Sequence, residues 1–259
     1  MYKLGFIGMG NMAGAIACGV AQSGFLKGDE MIAFDIVSSQ LDKVDPYHIQ
    51  KASNEKEVIE KSDIVFIGVK HQVVEAVIAP LKEALRNKAI ISIVLGYDFQ
   101  KYESLLDAST RHIFVMPNTP ALVLNGMSLM EEKHSLTEEE LNFTKDLFAS
   151  IGSVEIVPSH LMNAAGTLSG CGPAFVYMVI EALADGAVKE GVPRSMAYKL
   201  ASQTVAGAGM MQLKTGLHPG VLKDQVCSPG GSTIRGVKAL EDAGIRSAFI
   251  NAIEKGCHK

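Results

Sequence analysis

The sequence predicts an α/β fold, a doubly wound, mostly parallel sheet followed by an all-α C-terminal domain. In the first half, short β-branched runs alternate with amphipathic segments, the order expected of βαβ units. Beyond Pro158 the strand-like runs stop, and Ala, Gly and Met dominate long segments with helical spacing. Because 259 residues are enough for two cores, we expect two domains, residues 1–158 and 159–259.

The elements of the first domain follow from its hydrophobic pattern. The predicted strands are KLGFIG, MIAFDIV, DIVFIGV, AIISIVL, HIFVMP, MSLM and SVEIV. The predicted helices are NMAGAIACGVAQSG, HQVVEAVIAPLKEAL and EEELNFTKDLFASIG. A capping pattern, Thr137 with Glu140, begins the third of these helices. This alternation favours a mostly parallel sheet with helices covering its faces.

Two long helices are predicted in the second domain by their end signals. Pro173 and Pro193 lie where first-turn prolines begin helices, and Gly191 and Gly216 lie where those helices should end. The small-residue run TVAGAG inside the second helix lets another helix approach closely. We therefore expect this domain to need a partner.

Composition excludes several classes of partner. The net charge of −4 and the pI near 6.0 give no basic patch for nucleic acid or an anionic membrane, which leaves small molecules. The four cysteines form no C-x-x-C pair and have no histidine at metal spacing, so neither a disulfide framework nor a metal site is predicted. No apolar run is seen that reaches the roughly 20 residues of a membrane span. A cytoplasmic protein is the expectation.

A first glycine-rich stretch, GFIGMGNMAGAI, follows the first predicted strand. Gly8, Gly10 and Ala13 form a G-x-G-x-x-A pattern, which gives a tight turn, close approach of a pyrophosphate to the backbone, and close helix–strand packing. The pattern predicts a Rossmann-type dinucleotide site, with Gly8, Gly10, Asn11 and Met12 in contact with the cofactor. The alternative is a tight βα turn in another kind of α/β protein.

An acidic residue at the end of the second strand supports the dinucleotide interpretation. Asp35 is placed to accept hydrogen bonds from the ribose 2′-OH and to repel a 2′-phosphate, so it favours NADH over NADPH. Ser38 and Ser39 follow closely and offer an alternative phosphate contact from a displaced loop. A helix N-cap is the favoured interpretation of these two serines.

Later strand ends supply further candidate cofactor contacts, because ligands of doubly wound sheets lie at the carboxyl ends of the strands. Val69 and Lys70 follow one strand, and Asn118, in MPNTP, follows another. A turn-capping role for Asn118 and a solvated surface position for Lys70 are the alternatives.

A second glycine-rich stretch, VCSPGGSTIRGVKALE, leads from a Pro-Gly-Gly turn into a predicted helix. Free N–H groups of Gly230, Gly231, Ser232 and Thr233, together with the positive end of the helix, suit one small carboxylate. Ser228 completes the predicted contact set. The alternative is an ordinary turn in which Ser228 or Thr233 caps the helix.

Motifs along nearly the whole chain resemble the pyrroline-5-carboxylate reductase family. They are GFIGMGNMAGAI, VMPNTPALV, LSGCGPAFVYMVIEALADGAV, QTVAGAGMM and DQVCSPGGSTIRGVKALE. The resemblance implies hydride transfer from NADH or NADPH to the imine carbon of 1-pyrroline-5-carboxylate, giving L-proline. It also implies that the second turn holds the substrate carboxylate, that the hydroxyl of Thr233 reaches the ring nitrogen as the catalytic group, and that the helical domain forms an interlocked dimer.

The sequence departs from the family pattern at four positions. Cys171 stands where serine is usual, Phe114 and Ile36 where arginine is common, and His71 where proline usually follows VK. The missing arginine at Ile36 strengthens the expectation of NADH. Two other functions stay open at this point: reduction of another cyclic imine or small oxo acid, and dinucleotide binding without catalysis.

Overall fold

The computed structural model describes residues 1–258, and the chain forms two compact units, Met1–Gly170 and Cys171–Lys259. The segment 159–170 therefore belongs with the first unit by its contacts. The predicted domain boundary after residue 158 stays a prediction.

The first unit contains an eight-stranded sheet with the order β3-β2-β1-β4-β5-β6-β7-β8. The strands are β1 Tyr2–Ile7, β2 Met31–Phe34, β3 Gln50–Lys51, β4 Ser62–Ile67, β5 Ala89–Ser92, β6 Arg111–Met116, β7 Gly126–His134 and β8 Gly152–Val157. All neighbouring pairs are parallel except β6 and β7. The doubly wound α/β sheet predicted from the sequence is confirmed.

Alternate residues of the central strands enter separate cores on the two faces of the sheet. Phe66 of β4 packs with residues of α1 in the core on one face. Val65 and Ile67 pack in the core on the other face. All three are almost fully buried. Burial on both faces explains why these strands are continuous apolar runs in the sequence.

The α-helices fall into two groups. The first unit has α1 Asn11–Ser23, α2 Glu55–Lys61, α3 Val74–Ile78, α4 Phe99–Leu105, α5 Glu138–Ala149 and α6 Met162–Gly166. The helices of the second unit are α7 Gly172–Lys189, α8 Arg194–Thr215, α9 Pro219–Val226, α10 Ser232–Asp242 and α11 Ile245–Cys257. The predicted capping box is confirmed: Thr137 Oγ1 accepts from the Glu140 N–H, and the Thr137 N–H donates to Glu140 Oε2.

Two local predictions are wrong. The helix predicted over 71–85 is broken, because Pro80 has no N–H to continue it; α3 is flanked by 3₁₀ turns at His71–Val73 and Ala79–Leu81. Neither Ser38 nor Ser39 is a helix N-cap. The segment Ser38–Tyr47 is a 3₁₀ helix whose N-cap is Val37, and no side chain within residues 1–258 caps it.

The second unit buries little apolar surface of its own. The predicted ends of its long helices are confirmed, with Gly191 and Gly216 both at positive φ, +94° and +65°. Within residues 171–258 the buried apolar side chains are Ala184, Ala197 and Ala201. Many large apolar side chains are exposed, among them Val176, Tyr177, Met178, Leu183, Met196, Leu200, Met211, Leu213, Phe249 and Ile250. An exposed apolar surface of this kind indicates a contact surface.

One helical stretch, Ser159–Lys189, is long and apolar enough, by length and composition alone, to cross a membrane. Only 6% of the most apolar part of this stretch is buried. The sequence did not predict such a span, because Glu181 and Asp185 divide the segment into short apolar runs. The structure begins α7 directly after a π-helical turn, Thr167–Cys171, so the stretch is nearly continuous.

Candidate active site

The first glycine of the G-x-G-x-x-A turn is required by the backbone. Gly8 has φ +86°, and its N–H donates to the Phe34 carbonyl at 2.9 Å. A Cβ at this position would lie 2.7 Å from Val69 Cγ1. The left-handed φ and the close approach of the next strand both exclude a side chain.

The second glycine is different, because nothing in the described chain requires it. Apart from its chain neighbours and the adjoining helix backbone, no heavy atom of the described residues lies within 4 Å of an ideal Cβ at Gly10, whose φ of −59° any residue can adopt. The first turn of α1, which begins at Asn11, has no acidic residue and, in the described chain, no side-chain cap. Open space over an uncapped helix start fits the pyrophosphate of a dinucleotide.

Ala13, the third small residue of the motif, lets α1 pack closely against the sheet. A Cβ at Gly68 would lie 2.5 Å from the Ala13 Cβ, so helix and strand end are as close as these two residues allow. Ala13 is buried, and Met12 packs partly buried against the core. Asn11 is exposed at the helix start.

The carboxylate of Asp35 lies at the end of β2, as predicted, but it also supports the turn. Its Oδ2 accepts from the Met9 N–H at 2.6 Å, and its Oδ1 accepts from the Val37 N–H at 2.8 Å. The residue is half-buried. A carboxylate has about four acceptor positions, so ribose hydroxyls have sites left to bind.

Lys43 also reaches this turn, and sequence reasoning missed it. Its Nζ donates to the Met9 carbonyl at 2.8 Å and to Gln40 Oε1 at 2.7 Å. The side chain crosses α1 at Gly14, where a Cβ would lie 2.4 Å from Lys43 Cδ. Gly14, one residue past the motif, was the one signal in the sequence that another chain segment crosses the helix here.

Two further predicted residues lie near the same turn, after β4. Val69 contacts the Gly8 position, and the Gly68 N–H donates to the Ile7 carbonyl, so the ends of β1 and β4 meet. Lys70 is exposed at the start of the following 3₁₀ turn. The order of strands reverses between β1 and β4, and doubly wound sheets bind ligands at that switch point.

Asn118 has both polar ends of its side chain occupied within the first unit. Its Nδ2 donates to the Ser169 carbonyl at 2.9 Å, and its Oδ1 accepts from the Met127 N–H at 2.9 Å. The residue is 8% exposed. Its side chain therefore joins the end of β6 to β7 and to the π-helical turn, and only its backbone is left to meet a cofactor.

The second glycine-rich turn lies between α9 and α10. The Gly231 N–H donates to the Ser228 carbonyl at 3.0 Å, and Gly230 has φ +68°, as a type II turn with glycine at its third position requires. Gly231 is the N-cap of α10, and a Cβ there would lie 2.4 Å from Ser228 Oγ.

The interpretation of Ser228 or Thr233 as a helix cap is wrong, because within residues 1–258 no side chain caps α10. Ser232 and Thr233 are exposed in its first turn, which has no acidic residue. Arg235, which sequence reasoning missed, donates from Nη1 to the Gly230 carbonyl at 2.8 Å. The arrangement leaves N–H donors and a hydroxyl at the positive end of a helix, with a guanidinium nearby. His218 is the N-cap of α9, and its Nδ1 accepts from the Gly220 N–H at 3.1 Å.

Comparison with known proteins identifies the family. Residues 159–259 match the family model "Pyrroline-5-carboxylate reductase dimerisation", and residues 3–96 match "NADP oxidoreductase coenzyme F420-dependent". A pyrroline-5-carboxylate reductase of Methanosarcina acetivorans is 42% identical over 97% of this chain and 94% of its own. The chain belongs to the pyrroline-5-carboxylate reductase family. The family resemblance of the sequence motifs is confirmed.

Other pyrroline-5-carboxylate reductases agree in sequence and in fold. The Arabidopsis thaliana enzyme is 42% identical over 97% of this chain and 92% of its own. A crystal structure of the Plasmodium falciparum enzyme, with NADP bound, has a TM-score of 0.88 at 31% identity and covers 99% of this chain and 95% of that one. The fold is thus the fold of the family over nearly the whole chain.

Proposed function

We propose that this protein reduces 1-pyrroline-5-carboxylate to L-proline, the last step of proline biosynthesis, with hydride from a nicotinamide cofactor. The observation that carries the proposal is the uncapped start of α10, where a Pro-Gly-Gly turn and Thr233 leave donors free for a carboxylate and a ring nitrogen. Family membership and the dinucleotide-type turn of the first unit support it.

Each glycine-rich turn has its own role in this proposal. The start of α1 holds the cofactor pyrophosphate, with Gly8, Gly10, Asn11 and Met12 in contact. The start of α10 holds the substrate carboxylate through Ser228, Gly230, Gly231 and Ser232. Both are anion sites at a helix start, and neither has an acidic residue in the first helical turn to oppose the ligand.

In this proposal, hydride transfer depends on the orientation of the imine more than on a chain of proton-transferring side chains. When bound, the cofactor supplies a hydride to the imine carbon, and the C=N electron pair moves to the nitrogen. The hydroxyl of Thr233 would orient that nitrogen by a hydrogen bond, and hydride transfer depends on such orientation of the imine. An imine that arrives protonated needs no side-chain acid.

Thr233→Val tests this assignment. Removing the hydroxyl while keeping the shape should lower kcat on the order of a hundredfold, as loss of one transition-state hydrogen bond does. The dissociation constant for NADH should stay within about twofold, because the dinucleotide turn is untouched. Steady-state assay with 1-pyrroline-5-carboxylate and calorimetric titration of NADH measure the two quantities.

The matched control is Thr144→Val, the same change on α5 of the first unit, where the hydroxyl bonds back to the Glu140 carbonyl at 2.7 Å. It should leave kcat near the wild-type value. Wild-type turnover in Thr233→Val, or an equal loss of NADH binding, would contradict the role. Failure of the wild type with this substrate, together with activity on another cyclic imine, would favour the related reductase.

For the cofactor, we propose that NADH is used in preference to NADPH. Asp35 supports this, because its carboxylate stands at the end of β2 where a 2′-phosphate of charge near −2 would lie. Ile36, which follows it, is 88% exposed and brings no positive charge. Val69, Lys70 and the backbone of Asn118 complete the proposed cofactor contacts.

We further propose an interlocked homodimer, located in the cytoplasm, in which residues 1–158 bind the dinucleotide and residues 159–259 bind the substrate and form the subunit contact. The matched dimerisation model and the exposed apolar side chains of α7 and α8 support the subunit contact. The apolar stretch Ser159–Lys189 is then covered by protein rather than lipid.

A further inference from the structure

The dinucleotide turn is held from two sides by side chains of opposite charge. The Met9 N–H donates to Asp35 Oδ2 at 2.6 Å, and the Met9 carbonyl accepts from Lys43 Nζ at 2.8 Å. Met9 itself is fully buried. The two peptide groups that flank Met9 are thus both fixed by charged partners, and charged hydrogen bonds are the stronger kind.

The bond from Lys43 acts on the peptide group that presents the Gly10 N–H. In a trans peptide the carbonyl and the N–H point in opposite directions. With the Met9 carbonyl held on Lys43, the Gly10 N–H is directed away from it. An ammonium on the carbonyl also polarises the peptide and makes its N–H a stronger donor.

The side chain of Lys43 is itself held in place. Gln40 Oε1 accepts from the same Nζ at 2.7 Å, and the residue is half-buried. Its aliphatic part lies on α1 at Gly14, where the three atoms nearest to an added Cβ all belong to Lys43, at 2.4, 3.2 and 3.3 Å. Gly14 therefore opens the path by which Lys43 reaches the turn.

We propose that Lys43 is a positioning residue for the dinucleotide: it orients and polarises the Met9–Gly10 peptide so that the Gly10 N–H meets the pyrophosphate. The inference rests on the proposed nicotinamide cofactor, and it assigns to Lys43 no contact with the substrate. Lys43 acts through the turn, so the expected loss lies in dinucleotide binding and in the KM for the cofactor, with kcat at saturating cofactor retained.

The test is titration of full-length protein with NADH in the absence of imine, with thermal melting of each variant. Lys43→Met should raise the dissociation constant about tenfold, the factor that loss of one charged hydrogen bond gives. Lys43→Arg should restore most of the affinity. The control, Lys51→Met, removes a lysine that pairs with Asp45 of the same 3₁₀ segment at 2.6 Å, and it should bind as the wild type does.

Gly14→Ala separates positioning from stability. Its Cβ displaces the Lys43 side chain while the charge remains, so NADH affinity should fall. Its melting temperature should hold or rise, because alanine is the better helix former. Wild-type affinity in both Lys43→Met and Gly14→Ala, or an equal loss in Lys51→Met, would overturn the proposal. These titrations contain no imine, so their result does not depend on whether the protein reduces 1-pyrroline-5-carboxylate.

Discussion

At the residue scale, Gly8 and Gly10 stand two positions apart and are glycines for different reasons. Gly8 is required by its φ of +86° and by Val69, whereas Gly10 has an ordinary φ and open space around it. A glycine that the fold does not need is explained by the ligand that approaches it.

Gly10→Ala should therefore fold normally and bind poorly. We expect a free energy of unfolding within about 0.5 kcal/mol of wild type, since no strain or clash is introduced. NADH affinity should fall by at least about tenfold, because the methyl group occupies space needed by the pyrophosphate. Urea denaturation and calorimetric titration measure the two effects.

Gly8→Ala is the comparison, and it should lose stability by about 1–3 kcal/mol through its left-handed backbone. If Gly10→Ala were destabilised as much as Gly8→Ala, the distinction between the two glycines would be wrong. Unchanged NADH binding in Gly10→Ala would place the pyrophosphate elsewhere.

Asp35→Ser should shift cofactor preference. Relief of roughly 1.4 kcal/mol of repulsion toward the 2′-phosphate changes the NADPH-to-NADH ratio of kcat/KM by about tenfold. The structure adds that both cofactors should bind more weakly in absolute terms, because Met9 loses its charged acceptor. Steady-state kinetics with each cofactor measures the ratio; a wild type that clearly prefers NADPH would contradict the role of Asp35.

The sequence predicted the glycines and Asp35 because each carries a local rule of turn geometry or strand-end position. It did not predict Lys43 or Arg235, since their contacts depend on how a long side chain folds back over an element. Asn118 was found at the right strand end, yet its amide binds Met127 and Ser169, which the local motif does not show.

At the scale of elements, local signals succeeded where they were complete. The helix α5 was predicted from Thr137 and Glu140, whose two reciprocal hydrogen bonds are both present. The prediction of one helix over 71–85 is wrong because it rested on the apolar spacing alone. Pro80 ends the regular helix in the structure. Short elements such as β3, at Gln50–Lys51, carry no periodic signal and were missed.

Thr137→Ala should lower the free energy of unfolding by about 1 kcal/mol, because the Glu140 N–H loses its acceptor. Activity of the folded enzyme should be unchanged. Urea denaturation monitored by circular dichroism measures the effect, and Thr137→Ser, which keeps the oxygen, should restore most of it. An Ala variant as stable as wild type would mean that the cap contributes nothing.

A carboxylate in the loop between α4 and β6 makes the stability of the fold depend on pH. Hydrogen bonds from the Ser109 hydroxyl and N–H, with the Arg86 guanidinium, lower the pKa of Asp107 to about 2. Since the unfolded chain then binds the proton more readily, this carboxylate stabilises the fold above its ordinary pKa. The stabilisation is lost as the pH falls toward 2.

Asp107→Asn should consequently melt at a lower temperature than wild type at neutral pH, and the difference should shrink as the pH falls from about 4 toward 2. Thermal melts across this range give the result. A difference that is constant with pH would assign the effect to packing rather than to the charge.

At the scale of the whole molecule, the two units differ in how they are stabilised. The first has buried cores on both faces of its sheet, whereas in the described part of the second the buried apolar residues are all alanines. Sequence composition predicted this difference in outline, as strand-rich and Ala/Gly-rich halves. The packing of Met162 against Phe114 and Leu129 of the sheet is a contact that composition does not predict.

The fragment of residues 1–170 should therefore run as a monomer by light scattering and still bind NADH, while the full-length protein runs as a dimer or a larger oligomer. The reason is that the exposed apolar side chains of α7 and α8 are absent from the fragment. A stable dimer of the fragment would move the subunit contact to the first unit.

The nearly coreless helical unit has a kinetic consequence in the proposed dimer. Its apolar surface is buried only when two chains meet, so the last stage of refolding should be second order, with a rate that rises in proportion to protein concentration. The sheet unit should regain its structure earlier, at a rate independent of concentration. At low concentration a half-folded chain would then persist, with its nucleotide site already formed and its helical unit not yet paired.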